Sequence, residues 1–434
     1  MDIRKIVNAG VAGVTVVLMG YATAIAGGLA TSTNKGTRAD DPALPLETVK
    51  LIFIHHSCGE NWLSDWDGGL GLALQANNYY VSDTNYGWGP DAIGDRTDIG
   101  HWWDWFIGPN RGTILNALYT EYGDNSYNYT RLDDPDPARE NQIIMFKSCY
   151  PNSYLGGNPD DPATVGDNPL RGQPAYRDDL GEMNPDLTVG NAKGIYNLLL
   201  TYFATRLDKL FIAVTAPPQS ENDSDAQRSA NARAFNNWLV NDWLTAYPHS
   251  NVTVFDFYNV LTSNGGNTTT NDDLQEEGNH HRWWVDAVQH IRTVNNDYSA
   301  YASDAWDSHP TAAGNQKASS EFSTLLNVSY NRWKSDTKID EMDGGFPSDF
   351  SLEQNFPNPF NASTMIRFNL PESHHVELKI YDILGKEVET LIEEHMPAGP
   401  HEIVWKASNV VSGIYVCRLQ AGDRVETRKL ILQR

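Results

Sequence analysis

The chain has 434 residues, enough for two or more domains with full cores, and is rich in aromatics, with 13 Trp and 20 Tyr. Its 56 acidic and 32 basic residues leave a net charge of −24, which argues against nucleic acid and anionic membrane as partners because both would repel it. Three cysteines, Cys58, Cys149 and Cys417, are too few for a disulfide framework.

The first 26 residues read as an export signal. Arg4 and Lys5 give a positive start, Val11 to Met19 a short apolar run, and Ala24-Ile25-Ala26 a small-x-small cleavage site. That run is too short for a comfortable membrane span and no later stretch reaches its length, so the mature chain is expected to be soluble, without a span. A linker is expected over residues 27–48.

From residue 49 to 335, strand-like and helix-like patterns alternate. Five runs read as strands: Lys50 to His55, Tyr79 to Asp83, Gln142 to Phe146, Lys209 to Thr215 and Val252 to Phe257. Their largely continuous apolarity suits strands buried on both faces of a parallel sheet. Between and after them, "NAKGIYNLLLTYFATRL", "RSANARAFNNWLVNDWL" and "AAGNQKASSEFSTLL" read as helices. In the second, Ala230, Ala234, Trp238 and Leu239 are expected to form the buried face, beside Phe235 and Trp243. The expectation is a doubly wound α/β layer fold, which binds ligands at the carboxyl ends of its strands.

Chemistry-bearing residues fall at those ends. Ser57 follows the first strand in "IFIHHSCGENWL", ahead of a helix whose N-terminus would favour negative charge. Gly87 follows the second strand in "DTNYGWG", where the backbone N–H can approach a substrate closely. Asn152 follows the third in "FKSCYPNS" and can offer its side-chain amide. His309, in "SDAWDSHPTAAGNQ", precedes the last helix, with Asp307 and Asp304 near enough to orient the imidazole. A hydroxyl nucleophile needs a base, a group that orients the base and donors for the oxyanion, and these residues supply one candidate for each role.

Rival readings remain beside this one. Cys58 could itself be the nucleophile. His55 and His56 could join His280, His281 or His290 on a metal, although neighbours on a strand point to opposite faces. Neither a metal nor a cofactor is expected. Cys58 and Cys149 both follow predicted strands, so a single bridge and two buried free thiols stay open. The acidic loop "GNPDDPATVGDNP" lacks EF-hand spacing and reads as solvated.

Read together, the ordered Ser57, Gly87, Asn152 and His309-Pro310 with Gly314 resemble the SGNH/GDSL hydrolase superfamily over about residues 49–330. The resemblance implies a flavodoxin-like three-layer parallel sheet and a serine esterase site. Ser57 would be nucleophile and His309 base, with Ser57 N–H, Gly87 and Asn152 as the oxyanion hole. His-His-Ser-Cys stands where the superfamily has Gly-Asp-Ser-Leu. Trp306 stands where its acid lies, so Asp307 is the first candidate acid and Asp304 the second. His56 would line the pocket. Aromatic clusters, with Trp88, Trp102, Trp103 and Trp283 as expected substrate-binding residues, point to an acylated polysaccharide, for instance an acetylated one. A non-catalytic glycan-binding protein on a degenerate version of the fold is the alternative.

After a polar linker over residues 336–349 the pattern becomes short alternating runs separated by turns: "TMIRFNL", "HVELKIYDI", "HEIVWKA", "GIYVCRLQ" and "TRKLIL". A small all-β, Ig-like antiparallel sandwich is expected over residues 350–434. Its "LEQNFPNPFNASTMIRFNLP", "LKIYDILGKEV" and "SGIYVCRL" resemble the type A C-terminal sorting domain of type IX secretion cargo. That resemblance implies recognition by the type IX machinery, and secretion or surface display by a Bacteroidetes-like bacterium.

Overall fold

The computed structural model describes residues 40–177, 182–265, 272–342, 350–355, 357–371, 374–396, 399–408 and 410–433. The expected export signal and residues 27–39 and 343–349 of the expected linkers lie outside them. Residues 336–342, expected as linker, continue a long helix, α8 (Ala312–Met342).

Five fully or largely buried runs form one parallel sheet: β1 (Val49–Ile54), β2 (Tyr79–Thr84), β3 (Ile143–Lys147), β4 (Leu210–Val214) and β5 (Val252–Phe255). Their order is 2-1-3-4-5, one of the common doubly wound orders. Successive side chains alternate between two cores, as the strand period of two requires. Ile52, Ile54, Ile144, Phe146 and Phe211 pack on one face with α3 (Trp102–Phe106), α4 (Arg111–Thr120), α5 (Val189–Phe203) and α6 (Ala226–Asn241). Leu51, Phe53, Ile143, Met145 and Ile212 pack on the other with α1 (Ser57–Leu63), α2 (Leu70–Ala76), α7 (Phe257–Leu261) and α8. Three layers result.

One helix face differs from expectation. On α6, Ser229, Asn231, Ala232, Arg233, Phe235, Asn236 and Leu239 are buried, whereas Ala230, Ala234 and Trp238 are only half-buried. Polar residues occupy the buried face because they have partners there. Arg233 donates to Asn259 at 2.7 Å, Thr262 at 2.7 Å and Asp297 at 2.9 Å, satisfying a buried guanidinium that apolar periodicity does not anticipate.

After β5 come two hairpins, β6 (Asn279–Trp284) with β7 (Ala287–Arg292), and β8 (Ala302–Asp304) with β9 (Asp307–Pro310). The first carries His280, His281 and His290. His280 Nδ1 lies 2.7 Å from Glu321, His281 Nδ1 accepts the Asp256 N–H at 2.9 Å, and His290 Nε2 lies 2.9 Å from Asp256. These rings are bound to protein groups.

This cluster predicts acid lability. Burial pushes His281 down to about 3 from an ordinary 6.5. Burial acts to raise Asp256, but the His290 hydrogen bond and charge outweigh it and hold it at about 2. Below pH 6.5 the unfolded chain takes up a proton that folded His281 refuses. Stability therefore falls as pH drops towards 3, and Asp256 adds a further loss from about 3.8 downwards. A tenfold difference in proton affinity between the folded and unfolded chain is worth about 1.4 kcal/mol, so several kcal/mol are at stake. The thermal midpoint should fall on acidification from pH 6.5 to 3. His281→Asn, which keeps an acceptor for the Asp256 N–H but cannot take up the proton, should flatten that slope.

The C-terminal region is an antiparallel two-sheet sandwich. One sheet joins β10 (Ser351–Leu352), β11 (Ser363–Leu370) and β14 (Gly399–Lys406). The other runs β13 (Glu387–Met396), β12 (His374–Asp382), β15 (Gly413–Ala421), β16 (Arg424–Leu432). Ile366, Phe368, Leu378, Ile380, Trp405, Tyr415, Cys417 and Leu419 meet in its core. Strand β13 is absent from the runs expected on sequence. It is a sheet edge with no buried residue, so selection for alternating apolar residues is absent there.

Candidate active site

Strand β1 ends at Ile54, and within three residues the chain turns into α1, with Ser57 as its first residue. The His56 carbonyl accepts the N–H groups of Gly59 at 2.7 Å and Glu60 at 3.0 Å. This tight turn needs a glycine for space: a Cβ on Gly59 would lie 2.3 Å from His55 Cβ and 2.7 Å from its Cγ. His55 cannot yield easily. It is fully buried, and its Nε2 lies 3.2 Å from Asp83. Asp83 in turn accepts from Asn125 N–H at 2.7 Å, Ser126 at 2.7 Å and Tyr129 at 2.8 Å. Gly59→Ala should therefore lower stability by about 1–3 kcal/mol through overpacking and displace Ser57. Urea denaturation checks the first effect and ester turnover the second. Parental values in both would contradict this account of the turn.

Ser57 Oγ lies 2.9 Å from His309 Nε2, although 252 positions separate the two residues. His309 Nδ1 lies 2.5 Å from Asp307 Oδ1, and the same oxygen accepts the His309 backbone N–H at 3.0 Å. Desolvation acts to raise the Asp307 carboxyl. The His309 N–H and ring outweigh it and hold the group below the usual carboxylate range. Hairpin β8–β9 presents this pair. Ser308, between them, is buried and anchored: its hydroxyl accepts the Ser220 N–H at 2.8 Å and donates to Asp223. The Tyr150 ring meets the imidazole edge-on, with centroids 5.0 Å apart. Asp304 caps the hairpin turn instead, accepting the Trp306 N–H at 2.7 Å. Of the two candidate acids, Asp307 is the one beside His309.

The other expected donors are engaged within the protein. Gly87 has φ +73°, and its N–H donates to Asp95 at 2.7 Å. The Asn152 amide donates to Asp98 at 2.5 Å and to the Cys149 carbonyl at 3.3 Å, while its oxygen accepts the Ile99 N–H at 2.8 Å. His56 stacks on Tyr86 at 4.0 Å, and its Nε2 lies 2.5 Å from the Gly94 carbonyl. Burial lowers the His56 pKa below its ordinary value, so the ring is neutral at neutral pH and donates that bond.

The expected aromatic residues are buried or half-buried. Trp102 is fully buried, with Nε1 donating to Ser148 at 3.1 Å; Trp88 is buried and stacks on Trp105. Trp103 packs against the same core, and Trp283 is half-buried on β6. The correction has a simple cause: a tryptophan large enough to stack on a sugar is equally suited to filling a core. Exposed aromatics do occur near the triad. Tyr86 (60% exposed) follows β2 and interacts with Ser57, and Trp306 (76%) neighbours Asp307 in the chain. Their adjacency to Gly87 and Asp307 was the available sequence signal.

Among the described residues, Cys58, Cys149 and His309 bring ligand atoms within 4.8 Å of one another, a set that would suit a soft metal. Recruiting His309 would take a ring nitrogen from Ser57 or Asp307. The described helices include none long and apolar enough to cross a membrane.

Residues 354–433 match the family described as "Secretion system C-terminal sorting domain". This sorting tail marks the protein for type IX secretion or cell-surface export. No curated protein matches the chain significantly. Among solved structures, PorZ of Porphyromonas gingivalis is 17% identical over 21% of this chain and 13% of its own, with a TM-score of 0.16. Latent PorU of the same organism is 20% identical over 19% of this chain and 9% of its own, with a TM-score of 0.17. The acetyl xylan esterase Est2A of Butyrivibrio proteoclasticus is 14% identical over 68% of this chain and 65% of its own, with a TM-score of 0.27. Similarities this weak carry no argument about fold or activity.

Proposed function

We propose that residues 49–335 form an SGNH-like serine ester hydrolase acting on acylated polysaccharide outside the cell. The observation that carries this reading is the unbroken hydrogen-bonded chain Ser57–His309–Asp307 at the carboxyl edge of the sheet. In this scheme His309 takes the Ser57 proton as Oγ attacks the ester carbonyl. Asp307 holds the ring and stabilises its charged form, the alcohol leaves with the proton from His309, and water resolves the acyl-enzyme. Ser57 N–H, at the first turn of α1, is the expected first donor to the oxyanion. Gly87 and Asn152 would join it once substrate displaces Asp95 and Asp98. Tyr86 and Trp306 are the aromatic faces that would meet a sugar ring.

One observation favours the alternative of a glycan-binding protein without turnover: the Gly87 and Asn152 donors are already taken by carboxylates. Ser57→Ala separates the readings. A parent that cleaves p-nitrophenyl acetate and a variant that does not support the hydrolase. A parent that cleaves no ester while both proteins retain acetylated xylan supports the binding protein.

A further inference from the structure

Behind Ser57 lies a pair of sulfurs that the hydrolytic scheme does not use. Cys58 is the second residue of α1 and is fully buried; Cys149 follows β3 by two positions and is half-buried. Strands β1 and β3 are neighbours, with Ile54 opposite Phe146, so their exits bring the two cysteines together. Their Sγ atoms stand 2.8 Å apart, and Cys149 Sγ also lies 3.5 Å from Ser57 Oγ. Unbonded sulfurs do not pack so closely, and a small side-chain adjustment reaches the covalent length of about 2.05 Å. The two thiols are also unlike each other. Cys58 is enclosed, whereas Cys149 is partly open to solvent. Cys149 is thus the thiol an oxidant can reach to begin an exchange, and Cys58 the partner that completes it. The sorting tail takes the chain out of the reducing cytosol.

We propose that Cys58 and Cys149 form a disulfide in the exported protein, tying the first turn of α1 to the loop after β3. The oxidant is a disulfide of the export compartment, on an exchange protein or a small thiol. Cys149 thiolate attacks one of its sulfurs and releases the other as a thiol. Cys58 then attacks Cys149 in the mixed disulfide, releasing the second thiol. The two cysteines lose two protons and two electrons, and the oxidant's disulfide gains them. Once bonded, Cys149 can neither draw the Ser57 hydroxyl proton to a thiolate nor compete with Ser57 for His309. That consequence rests on the serine hydrolase reading; the bond itself does not. Cys417, buried in the strand β15 core, has no part in it.

The test counts thiols. The full-length chain is reduced, then treated with oxidised glutathione, denatured with a chelator present, and alkylated without reductant. The expected result is one alkylated cysteine per chain, Cys417, rising to three after reduction. Peptide mapping should find Cys58 and Cys149 on one cross-linked species. Alkylation of all three without reductant would overturn the proposal, whether the pair had stayed reduced or had held a metal that the chelator strips. Glutathione trapped on Cys149 beside an alkylated Cys58 would overturn it too. Ester turnover measured on the same samples is a separate readout. A bond that forms in a protein that cleaves no ester leaves the disulfide standing and removes only the hydrolase reading.

Discussion

Ser57→Ala lowers the rate of p-nitrophenyl acetate hydrolysis by about 10⁴- to 10⁶-fold, with the fold unchanged, if Ser57 Oγ is the attacking atom. The magnitude follows from removing a nucleophile whose covalent intermediate nothing else replaces, leaving only what binding and oxyanion donors supply. Alanine suits the first turn of a helix, and the Ser57 hydroxyl meets only side chains of the site, among them His309, Cys149 and the exposed Tyr86, so stability should change by less than about 1 kcal/mol. His309→Ala should lose a similar factor. The double variant should be no worse than either single one, because serine and histidine act together. Cys149 supplies the sharpest counter-test. Its sulfur is 3.5 Å from the serine oxygen. If Ser57→Ala keeps the parental rate, and iodoacetamide on Cys149 then abolishes it, the nucleophile is sulfur and the assignment of Ser57 falls.

The parallel sheet was legible because its strands are buried on both faces and so are nearly unbroken in apolarity. Only their ends differ, by one or two residues. The juxtaposition of Ser57, His309 and Asp307 was legible in part. Ser57 and His309 each sit where chain order in a doubly wound sheet places reactive groups, but two aspartates precede the histidine by two and five positions, and sequence ranked Asp307 ahead of Asp304 without showing which meets the ring. The choice is made by a hairpin: β8 and β9 pair Asp304 with Asp307, one carboxylate serving the turn and the other the imidazole. Spacing along a chain does not report which side of a turn a side chain takes. The aromatic residues were the least legible. Trp102 and Trp306 differ by one being fully buried and the other 76% exposed, and nothing in their identity encodes that. Likewise Arg233 and Asn231 face inward on α6 because partners from outside the helix await them.

Export and the proposed hydrolysis make different demands on the same chain. The sorting tail holds its own apolar core, in which Leu352, Trp405 and Leu432 are buried, and the triad residues all come from the α/β region. The candidate site and the sorting tail thus draw on separate sets of side chains. Truncation of the tail should change destination while leaving turnover as it was.

Asp307→Asn should lower kcat by about 10²- to 10³-fold with KM little changed, while Asp304→Asn stays within about twofold of the parent. A triad carboxylate both fixes the tautomer of the imidazole and stabilises its charged form. Replacing a fully buried one by its amide costs about 10⁴. Asp307 is less sheltered: its side chain is 45% exposed, so water screens part of its charge and the smaller factor is expected. Asparagine keeps an oxygen for both the His309 ring N–H and the backbone N–H that now share Oδ1. The loss therefore reports the charge more than the geometry, and Asp307→Ala, which removes both, should be worse. Asp304→Asn retains the turn-capping oxygen for the Trp306 N–H and leaves the histidine untouched. The comparison is decisive because both residues lie in one hairpin, where general destabilisation would act on the two alike. A large loss in Asp304→Asn with a small one in Asp307→Asn would mean that Asp304, not Asp307, orients His309 during turnover, and that the hairpin reorganises when substrate binds.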